Sequence, residues 1–306
     1  MNKQPPPVFD EIAQLPTESI NPRTVDLDTA SIREILTMIN REDRLVAPRV
    51  GRVLDRIASA VEVVVDAIRK GGRIFYVGAG TSGRLGVIDA AECPPTFGTP
   101  PHLFQGIIAG GRSAVFRAKE GAEDRVSEAR RMLTRKRVGK CDVVIGLAAC
   151  RRTPFVVAAL EKARSLGAKT IYITCNPRGK VEADIVIAVD VGPEVIMGST
   201  RMKCGTAEKM VLNMISTASM VTLGKVYRNL MVDLVATSEK LRQRSIRTVM
   251  LTTGCSYDEA SKLIKRAGGS VKVAIVMKHR GCTKAEATRL LRRAGGKVRK
   301  AIEEGQ

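Results

Sequence analysis

Five short apolar segments alternate with helical patterns between residues 73 and 190, and this alternation restricts the possible folds more than any other feature. The strand-like segments are 73–77, 103–109, 142–148, 170–175 and 184–190, and the helical patterns are 83–91, 112–136 and 154–166. Near-continuous apolar strands separated by amphipathic helices predict an α/β fold with a doubly wound, mainly parallel sheet. Ligands of such sheets bind beyond the carboxyl ends of the strands, which points to the loops at 78–83 and 148–153.

The regions on either side of this alternating part have helical patterns. Apolar residues recur at helical spacing from 29 to 70 and stop at Gly71-Gly72, and the pattern is again helical after Pro193. We therefore expect an N-terminal arm with helices (1–63), a ligand-binding α/β domain (64–227) and a linker helix followed by a small helical domain (228–306).

The C-terminal region contains an internal repeat with a period of 27 residues. GCSYDEASKLIKRAGGSVKVAI (254–275) aligns without a gap with GCTKAEATRLLRRAGGKVRKAI (281–302). In each copy a Ser or Thr is followed three residues later by Glu, which predicts a capping box, and a Gly-Gly pair predicts the helix end. The repeat indicates a small helical bundle, for which we favour a structural role over a separate ligand site.

Composition excludes several classes of protein. The apolar runs are too short for a membrane span, and the N-terminus lacks the apolar core of a signal peptide. The seven cysteines form no C-x-x-C pair and there are only two histidines, so the residues predict no metal site. Scattered cysteines in a chain without a signal peptide are typical of reduced thiols in the cytoplasm.

The formal charge of +20 suits a polyanionic partner, but the shortage of aromatic residues in the most basic region argues against nucleic acid. Residues 240–306 contain 17 Lys and Arg against 5 Asp and Glu. Aromatic residues make up only 3% of the chain, and Tyr257 is the single one in this basic region. A basic surface without stacking residues does not favour a nucleic-acid interface.

The loop at 78–83 follows an apolar strand and precedes a helical pattern. Its sequence, GAGTSG, has the G-x-G-x-x-G spacing of dinucleotide-binding loops. The next strand, however, ends at Gly110-Gly111 without the carboxylate that would bind a ribose. Backbone amides at a helix N-terminus, together with the Thr81 and Ser82 hydroxyls, suit a phosphomonoester better. A tight turn without a ligand remains the alternative.

Two carboxylates follow this loop and are candidates for acid–base chemistry. Glu92 lies in AAECPPT, at the end of the helical pattern that leaves the loop, and Glu123 lies in KEGAEDR, at a glycine-containing interruption of the next one. A pair of carboxylates beside a sugar phosphate can take a proton at one point and deliver one at another. Solvated or helix-capping glutamates would give the same pattern.

Several longer blocks make the sequence specific. They are TESINPRTVDLD (17–28), GAGTSGRLGVIDAAECPPTFG (78–98), GIIAGG (106–111), EGAED (120–124), CNP (175–177) and VGPEVIMGSTRMKCGTAEKMVLNMIST (191–217). These blocks strongly resemble the N-acetylmuramic acid 6-phosphate etherases, a family of the sugar isomerase (SIS) superfamily. The resemblance runs from about residue 17 to the end of the chain.

The resemblance implies a lyase that cleaves the D-lactyl ether of N-acetylmuramic acid 6-phosphate, giving N-acetylglucosamine 6-phosphate and D-lactate in cell-wall recycling. It also implies a homodimer without metal or nucleotide cofactor. Glu92 matches the proton donor to the departing lactate oxygen, and Glu123 matches the second acid–base position. The resemblance places Thr81, Ser82, Gly83 and the loop at 148–153 around the phosphate, and Ser199, Arg201 and Lys203 at the sugar. For Arg201 and Lys203, an ion pair at a helix start is an equal alternative.

The second phosphate loop departs from the family pattern A-S-G-R-T-P-Y. This chain has Cys150 in place of the serine and Arg151 in place of the glycine, although Thr153 matches. A thiol is a weaker donor than a hydroxyl, and a side chain at a glycine position takes up space. Arg151 could substitute for the serine hydroxyl and the glycine backbone with a charge-assisted bond to the phosphate, or it could reshape or block the pocket.

Two other functions are compatible with these departures. The SIS superfamily includes the glucokinase regulatory protein, a sugar-phosphate sensor that inhibits a kinase, and an altered loop with a basic tail would suit such a non-catalytic role. It also includes isomerases that share proton removal at C2. The ECPPT and EGAED blocks argue against an isomerase, and we favour etherase chemistry.

Overall fold

The computed structural model describes residues 15–150, 153–177, 181–236 and 238–303. The chain groups into two compact units. The first takes the residues up to Ala90 together with His102–Ile215, and the second takes Ala91–Pro101 and the residues from Ser216 onward. The three-part division with boundaries after residues 63 and 227 stays a prediction.

The first unit contains a five-stranded, fully parallel sheet. Its strands are β1 (Ile74–Gly78), β2 (Phe104–Ile108), β3 (Val143–Leu147), β4 (Lys169–Thr174) and β5 (Ile185–Ala188). The strand order is β2-β1-β3-β4-β5, and Ile74 pairs with Phe104 on one side and with Val143 on the other. The predicted doubly wound parallel sheet is confirmed, and each predicted strand segment contains or overlaps an observed strand.

Helices cover this sheet, and along the chain they precede, connect or follow its strands. They are α1 (Ile32–Asp43), α2 (Val46–Gly51), α3 (Leu54–Arg69), α4 (Gly80–Phe97), α5 (Ser113–Phe116), α6 (Val126–Arg135), α7 (Pro154–Ser165) and α8 (Lys203–Thr222). Every residue of β1 and β3 is buried, as expected of strands covered on both faces. Gly146 lets α7 approach β3 closely, because a Cβ at this position would lie 2.8 Å from Val156 Cγ1.

The helix after β1 is longer than the predicted segment 83–91. It begins at Gly80 and continues through Pro94 and Pro95 to Phe97. Proline removes an amide donor and usually ends or kinks a helix. Here the backbone resumes its hydrogen bonding beyond the prolines, since the Gly98 N–H donates to the Pro94 carbonyl at 2.9 Å. Glu92 therefore lies within the helix rather than at its end.

The single helical segment predicted for 112–136 is wrong as a continuous helix. The structure has α5, a 3₁₀ turn at Ala122–Asp124 and α6 in its place. The chain leaves the helical conformation at Arg117, which is extended with a φ of −136°, and Gly121, which precedes the 3₁₀ turn, has a left-handed φ of 68°. The interruption expected from the glycine before Glu123 is therefore present, and Glu123 lies in its 3₁₀ turn.

Within its described residues, the second unit contains a short hairpin, five complete helices and the C-terminal parts of α4 and α8. The hairpin pairs β6 (Val226–Tyr227) with β7 (Leu230–Met231), and the helices are α9 (Glu239–Thr253), α10 (Tyr257–Arg266), α11 (Val271–Arg280), α12 (Lys284–Arg293) and α13 (Val298–Glu303). The hairpin corrects the expectation of wholly helical structure after Pro193. Its two-residue turn has Arg228 at a φ of 55°, as tight hairpin turns require. Among the described residues, no helix combines the length and the apolar character that crossing a membrane requires.

The 27-residue repeat forms two helix pairs, α10–α11 and α12–α13, around one apolar core. Thr283 and Glu286 form the complete predicted capping box. Ser256 accepts the Glu259 amide, but the Glu259 carboxylate bonds Lys278 at 2.5 Å instead of completing the box. The first helix of each copy ends just before its Gly-Gly pair, whose φ values are 69° and 86° in the first copy and 61° and 78° in the second.

Candidate functional site

The loops after β1 and β3 lie side by side at the carboxyl edge of the sheet. The two strands are parallel neighbours, and Gly78, the last residue of β1, pairs with Leu147, the last residue of β3. Loops that leave adjacent strands at this edge form the crevice in which open α/β sheets bind ligands. The topology therefore brings both predicted phosphate loops to one place.

Close backbone packing shapes the first loop. A Cβ on Gly78 would lie 2.6 Å from the Gly83 nitrogen, and one on Gly83 would lie 2.8 Å from the Gly78 oxygen. Gly80 begins α4 with a φ of 53°. The amides of a first helical turn lack partners four residues earlier, and the positive end of the helix dipole attracts anions. The turn thus presents backbone donors to a phosphate-sized ligand.

The side chains of Thr81 and Ser82 lie against the N-terminal half of α8. Thr81 is half-buried, and its Cγ2 would lie 3.4 Å from a Cβ on Gly205. Ser82 is buried, and its Oγ forms a 3.0 Å hydrogen bond with Glu208 Oε1. The absence of a side chain at Gly205 lets α8 lie against the loop, and the contact with Glu208 fixes the position of the Ser82 hydroxyl.

Glu208 is a buried acid beside the loop that the sequence did not single out. It is 1% exposed, and burial raises its pKa to about 8, while the hydrogen bond with Ser82 opposes this rise. In the described part of the chain, Glu208 Oε2 has no hydrogen-bond partner. A carboxyl with one polar neighbour in a dry environment favours its neutral form.

The second loop is held by backbone contacts with the end of β4. The Ala149 oxygen accepts the Cys175 N–H at 3.0 Å and the Thr174 hydroxyl at 3.2 Å. Cys150 is half-buried, and Thr153 is the N-cap residue of α7, although its hydroxyl does not cap the helix. Arg151 lies outside the described residues. Both described candidates, Cys150 and Thr153, belong to the loop that follows β3.

The GSTRMK segment (198–203) does not present its three predicted residues together. Arg201 is exposed and Ser199 is half-buried, whereas Lys203 is fully buried. The Lys203 Nζ lies 2.6 Å from Glu42 Oε2. Of the two alternatives left open for Lys203, the structure has the ion pair at a helix start.

Glu42 forms the centre of a buried network in the first unit. Its carboxylate accepts hydrogen bonds from Arg23, Lys203 and Asn21. The Arg23 guanidinium, and then Lys203 and Asn21, lower the pKa of Glu42 to about 2 against the effect of burial. The network ties the segment of residues 17–28, one of the blocks that carry the family resemblance, to the start of α8.

A second carboxylate holds the same helix start. Glu194 is fully buried, and its two oxygens accept the backbone N–H groups of Lys203 and Cys204, each at 3.0 Å. A carboxylate at this position satisfies two amides and complements the helix dipole. Glu194 and Glu42 together fix the N-terminus of α8, and hence the approach of Glu208 to Ser82.

The two predicted acid–base residues are both exposed. Glu92 lies on α4, in the stretch that belongs to the second unit, and Glu123 lies in the 3₁₀ turn of the first unit. The sequence reasoning also missed Glu42, Glu194 and Glu208. Buried acids within otherwise apolar patterns are the one signal that could have identified them, because such acids are rare unless they are paired.

Comparisons with known proteins show strong similarity over most of the chain. The model of the glucokinase regulatory protein N-terminal SIS domain matches residues 56–164. A Salinibacter ruber protein, "N-acetylmuramic acid 6-phosphate etherase", is 58% identical over 88% of this chain and 88% of its own length. A protein of the same name from Symbiobacterium thermophilum is 54% identical over 87% of this chain and 89% of its own.

Solved structures support the fold. A Bacteroides fragilis protein, assigned as a phosphosugar isomerase involved in capsule formation, matches with a TM-score of 0.50 and 20% identity. The match covers 65% of this chain and 95% of the other. At this identity the similarity concerns the architecture of the α/β unit alone.

Proposed function

Because this chain belongs to the N-acetylmuramic acid 6-phosphate etherase family, we propose that it cleaves the D-lactyl ether of N-acetylmuramic acid 6-phosphate. The products are N-acetylglucosamine 6-phosphate and D-lactate. The observation that carries the proposal is the 58% identity with a curated etherase over 88% of both chains. The glycine turn at residues 78–83 supports it, because a helix N-terminus with adjacent Thr81 and Ser82 suits a phosphomonoester.

The reaction is an elimination followed by a hydration. In the open-chain aldehyde the carbonyl acidifies the C2 proton, and removal of that proton expels the lactyl oxygen from C3. Water then adds at C3 of the unsaturated aldehyde, and a proton returns to C2. We assign protonation of the departing oxygen to Glu92 and the C2 proton to Glu123. Their exposure supports these roles, since each carboxyl is open to a ligand.

The phosphate is proposed to bind between the two loops at the sheet edge. Thr81 and Ser82 supply hydroxyls and amides from the first loop, and Gly83, whose N–H donates to the Ala79 carbonyl, lets the backbone turn closely at its end. Cys150, Arg151 and Thr153 belong to the second loop. We propose that Arg151 supplies, by its charge, the phosphate binding that the serine and glycine provide in the family pattern. A phosphate dianion and a guanidinium form strong bidentate hydrogen bonds, so one arginine can compensate for two weaker donors.

The sugar is proposed to contact Ser199 and Arg201. The exposed guanidinium of Arg201 is accessible to a ligand, whereas the Lys203 ammonium is occupied by Glu42. We therefore assign Lys203 to positioning of the GSTRMK segment rather than to direct contact with the substrate.

The substrate assay tests this function. We expect purified protein incubated with N-acetylmuramic acid 6-phosphate to release D-lactate. Glu92→Ala should slow the release by about 10²–10⁴-fold, the usual contribution of a general acid. Glu62→Ala, a change of the same kind at an exposed position of α3, is the matched control and should have no effect. Release that survives Glu92→Ala would refute the assignment of the proton donor.

A second candidate function is sugar-phosphate sensing without catalysis. The match of residues 56–164 to the glucokinase regulatory protein model favours it. That match covers part of the α/β unit, whereas the similarity to the etherases covers most of the chain. Thermal stabilisation by a sugar phosphate without any lactate release would support the sensor and contradict the etherase.

The cellular setting is also a proposal. We place the protein in the cytoplasm, in recycling of cell-wall amino sugars, as a homodimer without metal or nucleotide cofactor. Exposed apolar side chains support an association: Ile32 and Leu36, one turn apart on α1, are 78% and 61% exposed.

A further inference from the structure

Glu208 differs from the buried glutamates Glu42 and Glu194 because, among the described residues, it has neither a cation nor a backbone amide as partner. Glu42 bonds Arg23 and Lys203, and Glu194 accepts two helix amides. Glu208 bonds only the Ser82 hydroxyl among the described residues, and its Oε2 is buried without a partner. Since Ser82 belongs to the proposed phosphate loop, the charge of Glu208 bears directly on ligand binding.

The Cys175 thiol is electrostatically coupled to Glu208 and Glu194, and it interacts with Cys204. Cys175, in the segment after β4, bonds the Cys204 carbonyl through its Sγ. A side-chain interaction with Cys204 lowers the pKa of Cys175, but burial and the charges of Glu208 and Glu194 raise it overall. The contact with Cys175, and then burial, also raise the pKa of Cys204. Both thiols therefore favour their neutral, uncharged forms.

We propose that Glu208 is a positioning residue that must hold a proton while a phosphate occupies the loop at 78–83. The protonated carboxyl can donate its O–H to Ser82 Oγ, which leaves the single hydroxyl proton of serine for a phosphate oxygen. The carboxylate has no proton, so the serine would have to donate to Glu208 instead. Its negative charge would also repel the dianion through a medium of low dielectric.

This coupling makes the affinity for sugar phosphates depend on pH. Below about pH 8 the resting protein already holds the proton, in accordance with the raised pKa of Glu208. Above that pH each binding event must take up one proton, so affinity falls by up to about tenfold per pH unit. A phosphomonoester is already a dianion above about pH 7, so the ligand itself contributes little to the change.

The test uses N-acetylglucosamine 6-phosphate, whose binding can be measured by calorimetry without turnover. For the wild-type protein we expect a constant Kd from about pH 7 to pH 8 and a rise of several-fold by about pH 9. Proton uptake, obtained from buffers of different ionisation enthalpy, should approach one per ligand at the higher pH. Glu208→Gln, whose amide donates to Ser82 permanently, should bind with a flat pH profile and no uptake, whereas Glu62→Gln should behave as wild type.

The inference rests on the proposed sugar-phosphate function, and the outcomes separate the two. A flat wild-type profile without proton uptake, or an equal rise in Glu208→Gln, overturns the role of Glu208 even if D-lactate is released. A pH-dependent Kd without D-lactate release supports the role of Glu208 and contradicts the etherase. Failure to bind the sugar phosphate at any pH overturns the inference. The proton-uptake measurement on wild-type protein decides the matter if the variant does not fold.

Discussion

At the scale of single residues, two buried glutamates of the same unit have opposite environments. Glu42 accepts hydrogen bonds from two cationic side chains and an amide, which lower its pKa to about 2. Within the described ranges Glu208 has a single hydroxyl as partner, and burial raises its pKa to about 8. Burial disfavours the charged form of both acids, but the partners of Glu42 outweigh this effect and the single hydroxyl beside Glu208 does not.

Removal of the Glu42 carboxylate should strongly destabilise the first unit. Glu42→Ala leaves the Lys203 ammonium buried without its partner, and we expect a loss of about 3–5 kcal/mol in the free energy of unfolding. Urea denaturation measures this loss, with Glu62→Ala on the surface as the control. In wild type, the stability from Glu42 is present above its unfolded pKa and should be lost as the pH falls from about 4.5 towards 2. A change as small as that of the control would contradict the network's role.

Glu208 should have the opposite effect on the pH dependence of stability. Because its folded pKa exceeds its unfolded value, the folded state binds more protons, so stability falls as the pH rises between about 4.5 and 8. Glu208→Gln removes this dependence. In thermal or urea unfolding, the free energy of unfolding of the variant should increase relative to that of wild type as the pH rises through this window. The increase should be up to about 1.4 kcal/mol per pH unit. An unchanging difference between the two proteins would indicate that Glu208 is ionised throughout.

These buried pairs mark the limit of what sequence reasoning could predict at this scale. Thr81, Ser82 and Gly83 follow from the pattern of strand, glycine loop and helix, which is local. Ser82 and Glu208 are 126 positions apart, and Glu42 and Lys203 are 161 apart. No periodicity within a segment reports such pairs, because they form only when the sheet and its helices have assembled.

At the scale of elements, the turn between β1 and α4 depends on the small size of its glycines. A Cβ on Gly83 would lie 2.7 Å from Ile108 Cγ1 and 2.8 Å from the Gly78 oxygen, so the backbone or β2 would have to move. The turn that presents donors to the phosphate is thus defined by steric fit between its two ends.

Gly83→Ala should therefore destabilise the protein and weaken phosphate binding. We expect a loss of about 1–3 kcal/mol in the free energy of unfolding, the usual effect of overpacking. Gly51→Ala is the matched control, because Gly51 lies in α2 with no atom within 4 Å of the added methyl group. This control should be neutral or slightly stabilising. Equal effects of the two changes in a thermal unfolding scan would contradict the steric account.

The elements themselves were largely predictable, and their exceptions have local causes. Strands β1 and β3 are apolar throughout, and the repeat at 254–302 includes its own caps and stops. The helix through Pro94 and Pro95 and the hairpin turn at Arg228 were missed. In both cases the chain adopts a conformation that its residue types disfavour locally, and packing in the folded molecule overrides that preference.

At the scale of the whole molecule, the family relationship predicts a pair of chains. The single chain has a mass of 33.1 kDa, so light scattering after size-exclusion chromatography should give about twice that mass. The exposed apolar pair on α1 gives such an association a physical basis. A concentration-independent mass of one chain would contradict the proposed homodimer.

Isotope labelling during turnover tests the proposed chemistry most directly. In water enriched in both ¹⁸O and deuterium, elimination followed by hydration places ¹⁸O at C3 and deuterium at C2 of the N-acetylglucosamine 6-phosphate, and the D-lactate ether oxygen stays unlabelled. Mass spectrometry of both products reads out all three positions. We expect this pattern in the wild-type protein. Label in the ether oxygen of lactate, or retention of the original hydrogen at C2, would contradict the account.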